Sequence, residues 1–173
     1  DALKALGKKR LTLIMHCGSF PSLDGENTGF GSVNSSGGKK VIDFTEGLFN
    51  SIQLGPAGKT KACDSSPYTG TIFSGNPLFI DLKALTTDEW KNILSVETYN
   101  DIVKNNPNKD KGKTSYSYIC KRQNEALKEA FDNFKNKRMI FLKKNFEKYK
   151  KATASWLVND SLYEALYIEN KND

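Results

Sequence analysis

The sequence holds a single histidine, His16, and only three cysteines, Cys17, Cys63 and Cys120. No pair of them has C-x-x-C spacing, so a structural zinc site lacks the ligands it would need. An odd cysteine count without an export pattern points to a reducing, cytoplasmic compartment. Long apolar runs are missing as well. None approaches the roughly 18–20 residues that a membrane span requires, so no membrane association is expected. The opening DALKALGKKR is basic, but no long apolar stretch or small-residue cleavage pattern follows, and a signal peptide is not expected.

What is present fits a globular chain. Hydrophobic residues make up 38% and charged residues 27% of 173 residues, a balance that supports a packed core and argues against disorder. The net charge of +6 raises nucleic-acid binding as a reading. The lysines, however, are interleaved with acids, as in KEAFDNFKNKR and KKNFEKYKK, which is the pattern of a solvated helix face.

Residues 11–16, LTLIMH, form a short branched apolar run that reads as a strand buried on both faces. A long Gly/Ser/Asn-rich loop follows, of a kind that is usually functional in a compact domain. GKKVIDFTEGLFN then has near-helical apolar spacing, and SIQLGP is a second short strand at about 51–55. Strand, loop, helix and strand make a βαβ unit of a parallel sheet. PLFIDL reads as another extended run or a helix start. Thr86 and Glu89 have capping-box spacing, which predicts a helix over about 88–95. Leu127, Ala130, Phe131, Phe134, Phe141, Leu142, Phe146 and Tyr149 recur at helical steps, and their aromatics are expected in the core. A last amphipathic helix carries Trp156, Leu157, Leu162, Tyr163 and Leu166.

Few motifs suggest chemistry. Gly29-Phe30-Gly31 lacks the rest of a dinucleotide fingerprint, and Gly58-Lys59-Thr60 lacks the first glycine of a P-loop, where Gln53 stands. Neither a cofactor nor a metal is expected. His16 and Cys17 are neighbours on what reads as a strand, so they would face opposite sides and not activate one another. Cys17 reads as a free buried cysteine. Asp81 closes an apolar run, where it could cap the next helix or serve an α/β active site.

Segment order then adds a resemblance. IQLGPAG, SSPY and FSGNPLFIDL, with HCGSFP before them, Tyr116, Ile119, Leu127, Ala130 and Phe131 after them, and Trp156-Leu157 followed by Leu162, Tyr163, Ala165 and Leu166, resemble the N-terminal third of the 4-alpha-glucanotransferases, or amylomaltases. The resemblance implies an α/β fold. Residues 1–173 would be the N-terminal part of one (β/α)8 TIM barrel of the alpha-amylase clan, with a helical insertion over about 86–173. It implies retaining transfer of α-1,4-glucan segments between maltooligosaccharides or to glucose, a reaction that needs two carboxylates. The family places these on later strands, so no catalytic residue is assigned here. The expected partners are an α-1,4-glucan or maltooligosaccharide and the remainder of the barrel, in the same or another chain. The resemblance carries substrate contact onto Ser66 and Tyr68, with Tyr116 as a further contact. A tyrosine suits this role, because its ring can pack on a sugar's apolar face while its hydroxyl hydrogen-bonds.

The sequence also departs from the pattern. Ser65 stands in place of an aspartate, Gln123 in place of a lysine, Asn159-Asp160 in place of D-Y, and Cys63 where some members carry an aromatic for a second glucan site. These departures motivate the alternative of a non-catalytic glucan-binding homologue.

Overall fold

The computed structural model describes residues 2–61, 64–71, 73–136 and 138–170. The two expected strands form and pair in parallel. Strand β1, Thr12–Ile14, lies beside β2, Ser51–Gln53, with Thr12 opposite Ser51 and Ile14 opposite Gln53. Asn50 fixes this register from outside the ladder. Its side-chain oxygen accepts from Leu11 N–H at 2.9 Å, and its side-chain amide donates to Lys9 O at 2.8 Å. Among the described residues the sheet has two strands, and no closed barrel forms. Burial on both faces is not found. Ile14 is 74% exposed, because no further strand or layer among the described residues packs on that side.

The chain begins with the short helix α1, Ala2–Ala5. The crossover between the strands is α2, Ser36–Thr45, two residues longer at its start than the apolar pattern suggests. Its end is closed by Ser35, whose hydroxyl accepts from Gly38 N–H at 3.0 Å. The buried Glu26 adds a second acceptor, taking both Leu23 N–H and Gly37 N–H at 2.8 Å. A carboxylate there also complements the helix dipole. Gly37 is required by proximity, since a Cβ on it would lie 2.2 Å from Pro21 O. Burial alone would raise the Glu26 pKa, but donors from Leu23, Gly37 and Ser36, with Lys83 nearby, outweigh it and hold the carboxyl below its ordinary range.

The helix expected over 88–95 does not form. Ala84–Thr86 and Asp88–Trp90 are single 3-10 turns, and the second ends where Lys91 and Asn92 take left-handed φ values of 58° and 49°. Thr86 is not available as a cap, because its hydroxyl donates to Lys83 O at 2.8 Å. The helix begins later, as α3, Val96–Lys104, capped by Ser95 Oγ on Thr98 N–H. PLFIDL is likewise not a strand. Pro77–Phe79 is a 3-10 turn started by Asn76, whose side-chain oxygen accepts from Leu78 N–H at 3.0 Å.

Three helices complete the chain: α4, Tyr116–Asn136; α5, Ile140–Ala152; and α6, Ala154–Glu169. Residues Ile119, Cys120, Gln123, Ala126 and Ala130 form one buried stripe of α4. The stripe packs on Leu78, Leu82, Leu85, Leu94, Tyr99 and Ile102, so the core sits between α3, α4 and the segment 77–94 and not on the sheet. Leu94, Ile102 and Ile119 are fully enclosed, each contributing about 1.5–3 kcal/mol by burial.

The aromatic series divides. Phe134 packs against this core, whereas Phe131, Phe141, Phe146 and Tyr149 remain substantially exposed, as do Leu162, Tyr163 and Leu166 of α6. Among the described residues no layer covers the outer faces of α5 and α6. Exposed lysines pair with nearby acids, as in Lys39–Asp43, Lys135–Asp132 and Lys150–Glu147, in keeping with solvated faces. No helix among the described residues is long and apolar enough to cross a membrane. Cys17 is free and buried, and burial pushes its thiol pKa up. Cys120 is disulfide-bonded.

Candidate functional site

The hydroxyl-rich segment after β2 is a hydrogen-bonded hairpin. Gly58 and Gly75 form an antiparallel bridge at its base. Lys59 N–H donates to Ser74 O at 2.8 Å, Thr71 N–H to Lys59 O at 2.9 Å, and Asn76 N–H to Ala57 O at 2.9 Å. The two arms approach so closely that a Cβ on Gly58 would lie 2.0 Å from Thr71 O.

The tip is ordered by Asp64. One carboxylate oxygen accepts from Ser66 N–H at 2.9 Å and the other from Thr69 Oγ1 at 3.1 Å. Asp64 is thereby an Asx-turn residue of the loop. Pro67 opens a 3-10 turn, Pro67–Thr69, with its φ already restricted. This places Tyr68 on the outside, 83% exposed, while no hydrogen bond among the described residues occupies the hydroxyl of the half-buried Ser66. Tyr68 lines an open groove of about 520 Å³ with Pro56, Ala57, Pro67, Phe73 and Ser74. Two aromatic rings, two prolines and a rim of hydroxyl and backbone groups form a surface suited to a ring with apolar faces and polar edges.

Behind the tip lies a much smaller enclosed space of about 10 Å³, bordered by His16, Asp64, Ser65, Pro67, Asn76 and Tyr116. Its wall is a relay of rings. His16 meets Phe79 edge-on at 5.7 Å, Phe79 stacks on Phe30 at 5.8 Å, and Phe30 meets Tyr116 edge-on at 5.6 Å. Burial raises the Tyr116 pKa. The structure thus brings Ser66 and Tyr68 together at the tip and sets Tyr116 behind the loop, away from the open groove.

His16 and Cys17 are not strand neighbours. β1 ends at Ile14, and they open a 3-10 turn, Cys17–Ser19, in which His16 Nδ1 accepts from Gly18 N–H at 3.2 Å. Asp81 serves the backbone, accepting from Lys83 N–H at 3.0 Å, and its pKa is raised by burial first and by the Glu26 charge as well. Cys63, the departure at the place where some family members carry an aromatic for a second glucan site, lies outside the described residues.

Two contributors were not apparent in the sequence. Phe73 is 56% exposed in the groove and stacks on Trp156 of α6, with ring centroids 6.1 Å apart and planes at 13°. Its one signal was an aromatic residue inside a polar loop. Gln123 is 2% exposed, and its amide donates at 3.0 Å to both Pro77 O and Ile80 O. It thus holds the turn by which the chain leaves the loop, a role signalled only by its place on the apolar stripe of α4.

A family model described as 4-alpha-glucanotransferase matches residues 16–173. A 4-alpha-glucanotransferase of Clostridium butyricum is 31% identical over 153 residues, covering 88% of this chain and 28% of that protein. One from Thermus thermophilus is 29% identical over 114 residues, covering 66% of this chain and 21% of that protein. The chain therefore spans between 21% and 28% of the length of these curated relatives.

Proposed function

The chain belongs to the 4-alpha-glucanotransferase family, and on that footing we propose that its loop over 57–76 holds an α-1,4-glucan during retaining glucan transfer. The observation that carries this reading is Tyr68. It is 83% exposed on a tip fixed by Asp64 and Pro67 and faces a groove large enough for a sugar ring. A side chain that costs little to order can hold a ring without a further loss of loop entropy. In this reading Tyr68 packs on one face of a glucose unit, the Ser66 hydroxyl bonds to its rim, and Tyr116 supports the loop from behind.

The reaction breaks the donor's α-1,4 bond. A carboxylate nucleophile takes the sugar as a covalent intermediate, while a carboxylic acid protonates the leaving oxygen. The same acid, now a base, then takes the proton of an acceptor hydroxyl as that hydroxyl attacks, and the configuration is retained. Neither carboxylate is assigned among these residues. We place both on barrel strands outside residues 1–173, with β1–α2–β2 as an early unit of that barrel. The exposed Ile14 and the uncovered faces of α5 and α6 support this placement, because such apolar surfaces need a covering layer.

The test is maltoheptaose binding by the full natural chain and by its Tyr68→Ala variant. The variant should bind roughly tenfold or more weakly, the size of a lost aromatic anchor. Equal affinity in the two proteins would overturn the assignment. Residues 1–173 alone should not redistribute maltooligosaccharide lengths, and transfer by that piece would overturn the placement of the carboxylates. Binding without transfer by the full chain would select the non-catalytic homologue.

A further inference from the structure

We infer that α6 is a positioning element for the glucan loop, gripping both of its arms through Trp156, Asp160 and Glu164. The inference rests on the reading that the loop contacts glucan. The three residues are spaced i, i+4, i+8 and so share one helix face. Glu164 forms an ion pair with Lys59 on the outgoing arm. Asp160 accepts a hydrogen bond from the Ser74 hydroxyl on the returning arm. Trp156 stacks on Phe73 beside it. Farther along, the Lys61 ammonium lies 5.4 Å from the centre of the Tyr167 ring.

Several features make this more than incidental surface contact. Lys59 and Ser74 are themselves joined by a backbone hydrogen bond, so α6 holds the hairpin at a point where its arms are already locked together. Phe73 and Ser74 both line the groove that Tyr68 faces. α6 therefore holds the groove wall next to Tyr68, and a shift of the helix would change the width available to a sugar ring. The ion pair is only partly exposed, at 34% for Lys59 and 25% for Glu164, which shields it from solvent more than the other lysine pairs of the helices. α6 has no fully buried residue, and this stripe, together with its contact with α5, helps to seat it on the described part of the chain.

The experiment uses the full natural chain with maltoheptaose as the probe and reads both binding and melting temperature. Glu164→Lys should raise the dissociation constant roughly fivefold or more, the lower end of typical coupling between sites. In turnover the loss should fall on KM more than on kcat, because α6 acts on the groove and not on the reacting atoms. The charge exchange Lys59→Glu with Glu164→Lys should recover most of the affinity. A wild-type dissociation constant in Glu164→Lys, or a double variant that regains melting temperature but not affinity, would overturn the inference. Should Glu164→Lys fail to fold, Ser74→Ala removes one hydroxyl and carries the same expectation of weaker binding at an unchanged fold. Tyr68→Ala separates the two readings. If it binds as the wild type does, the loop reading falls. If it loses binding while Glu164→Lys and Ser74→Ala do not, only the role of α6 falls.

Discussion

Replacing Gly58 by alanine tests whether the loop over 57–76 depends on the close approach of its two arms. The added Cβ would lie 2.0 Å from Thr71 O, 3.1 Å from Thr71 C and 3.2 Å from Thr71 N. Carbon and oxygen need at least 3.0 Å, so the arms must part by about 1 Å, and the obstacle is backbone that cannot rotate away. That displacement acts on the hydrogen bond from Thr71 N–H to Lys59 O and strains those of Lys59 with Ser74 and Asn76 with Ala57. An overpacking cost of about 1–3 kcal/mol, with about 1 kcal/mol for a lost backbone hydrogen bond, gives a local destabilisation of about 2–4 kcal/mol. Amide hydrogen exchange reads this directly. The Thr71 and Asn76 amides should exchange faster by about 30- to 1000-fold, since each 1.4 kcal/mol is a factor of ten. The Ile119 amide, bonded to Ser115 O in α4, serves as the internal reference. Gly75→Ala is the matched control. Its Cβ would find only Ala57 O, at 3.9 Å, so the change should cost under about 1 kcal/mol. Unchanged protection of Thr71 and Asn76 in Gly58→Ala, or equal effects of the two substitutions, would refute the reasoning.

Other perturbations probe the scaffold around the loop. Gln123→Leu keeps the volume but leaves Pro77 O and Ile80 O without their donor, and it should lower unfolding stability by about 1–3 kcal/mol in urea titration. Gln123→Lys should recover part of that loss, because an ammonium can donate to both carbonyls; a Leu variant as stable as the wild type would remove the assigned role. Glu26 predicts an acid limit to folding. Its pKa is depressed in the folded chain, so its contribution is present above its ordinary value of 4.5 and is lost as pH falls through the lower folded value. Melting temperature should therefore fall more steeply with acid in the wild type than in Glu26→Gln, and parallel curves would contradict the sign.

Legibility in the sequence followed the range of the interactions. The βαβ unit was readable because strand and helix periodicity are local, and LTLIMH and SIQLGP each carry their own pattern. The tip was readable from Ser66, Pro67 and Tyr68 for a similar reason: Pro67 restricts its own backbone, and Asp64 bonds within five residues. The capping-box reading at Thr86 failed on a competing local bond, since the threonine hydroxyl was taken by Lys83 O and the chain turned left-handed at Lys91. The core was misplaced for a different reason. Apolar runs in 11–16 and 51–55 suggested that the sheet would be the buried layer, yet the enclosed side chains are Leu94, Ile102 and Ile119, brought together only by the packing of α3 and α4. The grip of α6 on the loop was beyond local reading altogether, because Lys59 and Glu164 are 105 residues apart and Ser74 and Asp160 are 86 apart. Asp160 stood in the sequence only as a departure from a family pattern. Its bond to Ser74 gives the departure a physical meaning: a carboxylate placed one helical turn before Glu164 gives the same face of α6 a second handle on the loop. Two acidic residues on that face can each hold one arm of the hairpin, and an apolar face could press on both arms without distinguishing one from the other.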